Sequence, residues 1–233
     1  PHVRTKIEQL GYADIVVGAY GEESLAGAIQ IYHGSQDGLP SMPDWGLNGE
    51  NPGDRLGLAV GAAGDVNGDG LSDIIAGAPG YDISGRANAG KAYVLLGVAD
   101  RPSKGPAWSR TGATAGTAGD VNGDGYADVI VGSESANTVW AYYGGLDGLA
   151  DTADWTKTGT GAFGRTVGTA GDVNGDGYAD VAVSGSSSVY LYLGSAAGLG
   201  SGAASWTASG SSVTTAGDVN GDGYNDVLVA ESG

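Results

Sequence analysis

The chain has 233 residues, 41% of them hydrophobic, and carries 27 acidic against 10 basic side chains for a net charge of −17. That balance is too apolar for a disordered chain, too interrupted for a membrane span and too poor in cations for nucleic-acid contacts, which need a basic patch. Cysteine is absent, which excludes disulfides and thiol chemistry, and the 46 glycines are spread at regular intervals, the mark of a turn-rich all-β chain.

Pro1–Gln9 resembles no later segment, and the polar, charged Pro1–Leu10 lacks the apolar stretch of a signal peptide. The chain is therefore expected to be a mature form or a piece of a longer one. Leu10-Gly-Tyr-Ala-Asp-Ile-Val-Val-Gly18 then matches the second half of a motif that recurs downstream. Aligned on Asp14, this first copy has Lys6 and Leu10 where later copies have acidic residues, so it is not expected to hold a cation; a Lys6 side chain could satisfy Asp14 instead. His33 falls at the end of the next predicted strand and reads as an ordinary turn residue.

The motif appears in full at Asp65–Asp73 and again at Asp120–Asp128, Asp172–Asp180 and Asp218–Asp226, at spacings of 55, 52 and 46 residues. Each copy reads D-V-N-G-D-G-x-x-D. Oxygen-bearing side chains at positions 1, 3, 5 and 9, with glycines at 4 and 6 to let the backbone turn, suit a hard cation held by one short loop. The expected ligands are Asp65, Asn67, Asp69 and Asp73; Asp120, Asn122, Asp124 and Asp128; Asp172, Asn174, Asp176 and Asp180; and Asp218, Asn220, Asp222 and Asp226. The main-chain carbonyls of Leu71, Tyr126, Tyr178 and Tyr224 at position 7 could complete each set, giving about four calcium ions. Three Asp per loop account for 12 of the 27 acidic residues, a clustering that repels itself without a cation. An ion saturated by protein oxygens is structural, whereas a catalytic metal keeps an open position.

An EF-hand loop shares the opening D-x-N-x-D-G but places an acidic ligand at position 12, on a following helix. Here position 12 is Ala76, Val131, Val183 or Val229, inside short β-branched runs that begin strands. The loop is thus expected to join two strands of a hairpin. Further strands are predicted at 28–34, 91–97, 138–144 and 188–194, and Trp45, Trp108, Trp155 and Trp206 recur once per repeat. A once-per-repeat aromatic reads as packing between repeats rather than as a sugar platform, and Trp140, beside Tyr142 and Tyr143, reads as core. With two histidines and no cysteine, a nucleophilic catalytic site is not expected.

The loops, together with Leu56-Gly57 and Phe163-Gly164, Gly77-Ala78-Pro79, and the Ala-Gly pairs at 63–64, 118–119, 170–171 and 216–217, resemble the FG-GAP repeats of integrin α-subunit propellers and their bacterial relatives. The resemblance implies an all-β chain of four-stranded antiparallel blades, part of a seven-bladed β-propeller. It divides 1–233 into approximate repeats at 10–55, 56–110, 111–160, 161–208 and a partial 209–233. It also implies a secreted or surface-exposed, calcium-stabilised, non-catalytic adhesion module for a glycan or protein ligand, with neither nucleic acid nor membrane insertion. The alternatives are an accessory domain of a secreted polysaccharide- or lipid-degrading enzyme, or a structural element of a surface assembly, with self-association or the remainder of the propeller as further partners.

Overall fold

A computed structural model describes residues 3–9, 12–21, 23–83, 85–98 and 105–231, the first segment and residue 23 by backbone alone. The described strands form four four-stranded sheets and one two-stranded sheet, each antiparallel and ordered as in the sequence. The first holds β1 (Val3–Gln9), β2 (Tyr12–Gly18), β3 (Ala28–Tyr32) and β4 (Trp45–Asn48). The second holds β5 (Ala59–Gly64), β6 (Asp73–Ala78), β7 (Lys91–Leu95) and β8 (Trp108–Thr111). The third is β9 (Thr114–Gly119), β10 (Asp128–Ser133), β11 (Thr138–Tyr142) and β12 (Trp155–Thr158), and the fourth β13 (Thr166–Gly171), β14 (Asp180–Ser184), β15 (Ser188–Tyr192) and β16 (Trp206–Ser209). The two-stranded sheet is β17 (Ser212–Gly217) with β18 (Asp226–Ala230). These are propeller-type blades, as the repeat pattern predicted.

The chain divides into two compact units: residues 1–65 with 69–114, and residues 66–68 with 115–233. In the first, alternate residues of facing strands meet: Val16, Ile29 and Ile31 from the first sheet, and Ile74, Ala76, Tyr93 and Leu95 from the second. In the second unit the equivalent layer joins Ile130, Val139 and Ala141 to Val181, Val183 and Tyr192. Because these sheets bury both faces, β6, β10 and β14 are buried along their whole length, and their Val, Ile and Ala side chains form continuous apolar runs instead of alternating with polar ones.

Two sequence features lock neighbouring sheets together. Phe163 is buried to 1% exposure, and the following Gly164, at φ 89°, sits where a Cβ would come within 3.1 Å of Ser133 N at the β10–β11 turn. Leu56-Gly57 does the same in the first unit, with a Cβ at Gly57 falling 2.9 Å from Gly18 Cα. Only glycine fits so close an approach. The repeating tryptophans each open a fourth strand. Trp155 packs edge-on against Tyr192 of the next sheet at 5.1 Å and donates its Nε1–H to Gly200 O at 3.0 Å, the inter-repeat packing expected for it. Trp108 is likewise buried and Trp45 half-buried, whereas Trp206 is exposed.

Candidate metal-binding loops

Each acidic loop joins the first strand of a sheet to its second. Entry is through a bulge: the register slips between Ala62 and Gly64, Thr169 and Gly171, and Thr215 and Gly217, with each glycine at positive φ. The loop then closes on its own carboxylates. In the third sheet, Asp120 Oδ1 accepts the N–H groups of Gly123 (2.6 Å) and Asp124 (3.1 Å), and its Oδ2 accepts that of Gly125 (2.9 Å). Asn122 Oδ1 accepts the Asp124 N–H at 3.1 Å, and Asp124 Oδ1 accepts the Tyr126 N–H at 3.0 Å. The same network recurs at Asp172–Tyr178 and Asp218–Tyr224, with matching bonds at Asp65, Asp69 and Leu71. Positions 4 and 6 have φ between 73° and 92° in all four copies, which explains glycine at both.

Position 9 behaves differently. Asp128 Oδ2 accepts the N–H of Val121, position 2 of its loop, and Oδ1 accepts that of Gly144, just past the third strand, both at 2.8 Å. Asp180 repeats this with Val173 (2.9 Å) and Gly194 (2.9 Å). Asp73 accepts from Gly97 at 2.7 Å, and Asp226 from Val219 at 3.0 Å. Asp73, Asp128 and Asp180 are fully buried. Burial pushes the Asp128 carboxyl up to about 7, with the Asp124 and Asp120 charges adding to the rise and the two amides opposing it. Asp180 is raised for the same reasons, whereas the exposed Asp218 is held below the usual range, first by the N–H of Gly223.

The predicted ligands thus occupy one loop in each sheet after the first, but their carboxylate oxygens are turned onto main-chain amides; among the described residues no three acidic or histidine side chains converge on one point. The donor set still fits a hard divalent cation. It is all oxygen, Asp120 Oδ2 and both Asp128 oxygens each accept a single amide bond, and carboxylates raised by burial and by like charges are the groups that a cation relieves.

In the first sheet Asp14 holds position 9. It is 3% exposed, and its Oδ1 accepts the Gly34 N–H at 2.8 Å, as Asp128 accepts that of Gly144. Its Oδ2 lies 3.2 Å from His33 Nδ1, without hydrogen-bond angles. His33 is therefore more than the turn residue its sequence suggested, while Lys6, expected at a loop position against Asp14, lies within β1 and pairs with Ile15, Ile7 being the residue opposite Asp14. The available signal was position: His33 precedes the glycine equivalent to Gly97, Gly144 and Gly194, in the one copy without an acidic loop.

Comparison with known proteins agrees with the repeats. The FG-GAP-like repeat family matches residues 120–183 and 172–229, and the FG-GAP repeat family matches 57–95. The chain is 32% identical over 168 residues to integrin alpha-PS3 of Drosophila melanogaster, covering 63% of this chain and 15% of that protein. It is 31% identical over 206 residues to integrin alpha pat-2 of Caenorhabditis briggsae, covering 74% and 16%, and 35% identical over 133 residues to integrin alpha-6 of Gallus gallus, covering 51% and 12%. The chain therefore spans about a sixth or less of the length of these relatives.

Proposed function

Because this chain is an FG-GAP repeat protein of the integrin α-like kind, we propose that it is a calcium-stabilised, non-catalytic β-propeller module of an extracellular adhesion protein, binding a protein or glycan ligand through its loops. The observation that carries the calcium part is a buried, raised carboxylate, Asp128, sharing an oxygen-only loop with two more carboxylates, in a sequence repeated four times. Positions 1, 3, 5 and 9 and the position 7 carbonyl would hold the ion. Its charge would neutralise the three carboxylates and fix the hairpin between the first and second strands.

The sheets then act as a scaffold for the connections between their strands, where binding surfaces are built. The similarity to integrin α subunits supports adhesion as the role and a protein as the ligand. Calorimetric titration of the chelated chain with calcium is expected to give about four sites, falling by one in Asp120→Ala. Loss of binding to an immobilised panel of polysaccharides and extracellular proteins on chelation would tie the ligand to the calcium-loaded form. A chain that binds no calcium at millimolar concentration sinks the reading.

A further inference from the structure

The acidic loops of the second compact unit are joined in series. Position 9 of one loop reaches the loop before it through main-chain bonds: Asp180 accepts the Gly194 N–H at 2.9 Å, and the next amide, that of Ser195, donates to Val121 O at 3.0 Å. Val121 is position 2 of the 120–128 loop, and its own N–H donates to Asp128, position 9 of that loop, at 2.8 Å. Asp128 in turn accepts the Gly144 N–H at 2.8 Å, and the Gly145 N–H donates to Val66 O at 3.0 Å. One run of hydrogen bonds therefore leads from Asp180 to Asp128 and on to Val66.

A second connection runs through positions 7 and 8. The Tyr178 ring lies on Gly123, position 4 of the preceding loop, so that a Cβ there would come within 2.6 Å of its Cε1; Tyr224 covers Gly175 in the same way. Gly125 and Gly177, at position 6, also have positive φ, yet no atom lies within 4 Å of a Cβ placed on either. The ring is thus aimed at position 4, whose N–H donates to Oδ1 of position 1, at 2.6 Å from Gly123 and 2.7 Å from Gly175. Position 8 secures the same residue: the Ala179 N–H donates to Asp120 O and the Asn225 N–H to Asp172 O, both at 2.9 Å. Asn225 Oδ1 also accepts the Asp172 N–H, at 3.2 Å.

The position 7 carbonyl and the position 9 carboxylate belong to the ligand set of one loop, while the position 7 ring and the position 8 amide hold the loop before it. Fixing 178–180 around one ion therefore fixes the support of the 120–128 loop, and a second ion meets a loop that is already ordered. Charge acts in the opposite sense, because a filled loop attracts a second cation less than an empty one. At about 0.15 M salt that effect is screened over about 8 Å between exposed groups.

Resting on the calcium reading above, we propose that Tyr178, Ala179, Tyr224 and Asn225 are positioning residues for the ion of the preceding loop, so that the 120–128, 172–180 and 218–226 loops bind calcium cooperatively. The coupling is reciprocal, since a loop that gains affinity from its neighbour returns the same factor to it.

The test is a calcium titration of the 233-residue chain at about 0.15 M salt, followed by NMR at the amides of Gly125, Gly177 and Gly223, position 6 of the three loops, and of Gly70 at 65–73. In the wild type the three signals are expected to move together, with a Hill coefficient above about 1. Asp172→Asn weakens the ligand set of the middle loop and should lower calcium affinity at Gly125 and Gly223 by about fivefold or more, with a smaller change at Gly70, two joints away. Tyr178→Ala keeps every ligand, including the position 7 carbonyl, and should weaken calcium at Gly125 several-fold, while Tyr178→Phe, which keeps the ring, should restore it. A ring that only packs would change the melting temperature without moving the Gly125 midpoint. Independent transitions, or a Gly125 midpoint that neither Asp172→Asn nor Tyr178→Ala moves, overturn the coupling and leave the calcium reading standing. Glycine signals that ignore calcium throughout sink both.

Discussion

The first sheet and the third solve one problem with different partners. In both, a buried aspartate at the start of the second strand ties down the backbone just past the third: Asp14 takes the Gly34 N–H and Asp128 the Gly144 N–H, each at 2.8 Å. The other oxygen distinguishes them. Asp14 has the His33 imidazole at 3.2 Å, whereas Asp128 has the Val121 amide of a loop that carries two further carboxylates. The position 9 aspartate therefore serves the sheet in both, and the calcium proposed for the third sheet would answer to the carboxylates at positions 1 and 5. Sequence alone merges these two roles because they share one residue.

Calcium removal is the largest lever on this contrast. Each loop saturated at a hundredfold over its dissociation constant would contribute about 2.7 kcal/mol, so chelation is expected to lower the melting temperature by many degrees. Hydrogen exchange read sheet by sheet should then show β10 and β14 amides losing protection while β2 and β3 amides keep more of theirs. Equal loss in all sheets would break the comparison. Next in size are the aspartates themselves. Asp128→Ala leaves two buried N–H groups without acceptors and is expected to cost roughly 2–4 kcal/mol in denaturant unfolding, with or without calcium. Asp14→Ala should cost about 1–3 kcal/mol by the same reasoning and leave calcium stoichiometry untouched. If Asp128→Ala were harmless in chelator, position 9 would be a ligand only.

Much of this was legible in the sequence because the repeats are in register. Four copies of D-V-N-G-D-G-x-x-D fix where the first strand ends and the second begins, and the β-branched run after position 9 identifies strand rather than helix. Phe163 and Leu56 were legible as motif residues, although their role in docking one sheet on the last needed coordinates to see. The bonds from Gly34, Gly97, Gly144 and Gly194 to position 9 were not legible, since they pair residues 14 to 24 apart through a backbone amide that leaves no side-chain signature. His33 was missed for a related reason: its meaning comes from what the first copy lacks.

A smaller effect concerns pH. Without calcium, the folded Asp128 carboxyl, pushed up to about 7, keeps a proton that the unfolded chain releases near 4. The folded state binds more protons across that window, so this contribution to stability is fully present below about pH 4 and is lost as pH rises through about 7. Asp180, raised for the same cause, has the same sign. The chelated chain is expected to be more stable at pH 5 than at pH 7.5. In calcium the slope should reverse, because the ligands must be deprotonated to bind and protons compete with the ion. Two denaturation curves against pH, with and without chelator, should therefore cross; parallel curves would mean that Asp128 and the ion do not share a site.

The smallest expected effect concerns the partner that is special to the first sheet. His33→Ala removes the Nδ1 contact with Asp14 Oδ2, a loss expected to cost about 1 kcal/mol, and spares the Gly34 amide bond that Asp14 retains. Its cost should be the same in calcium and in chelator, because no acidic loop stands opposite Asp14.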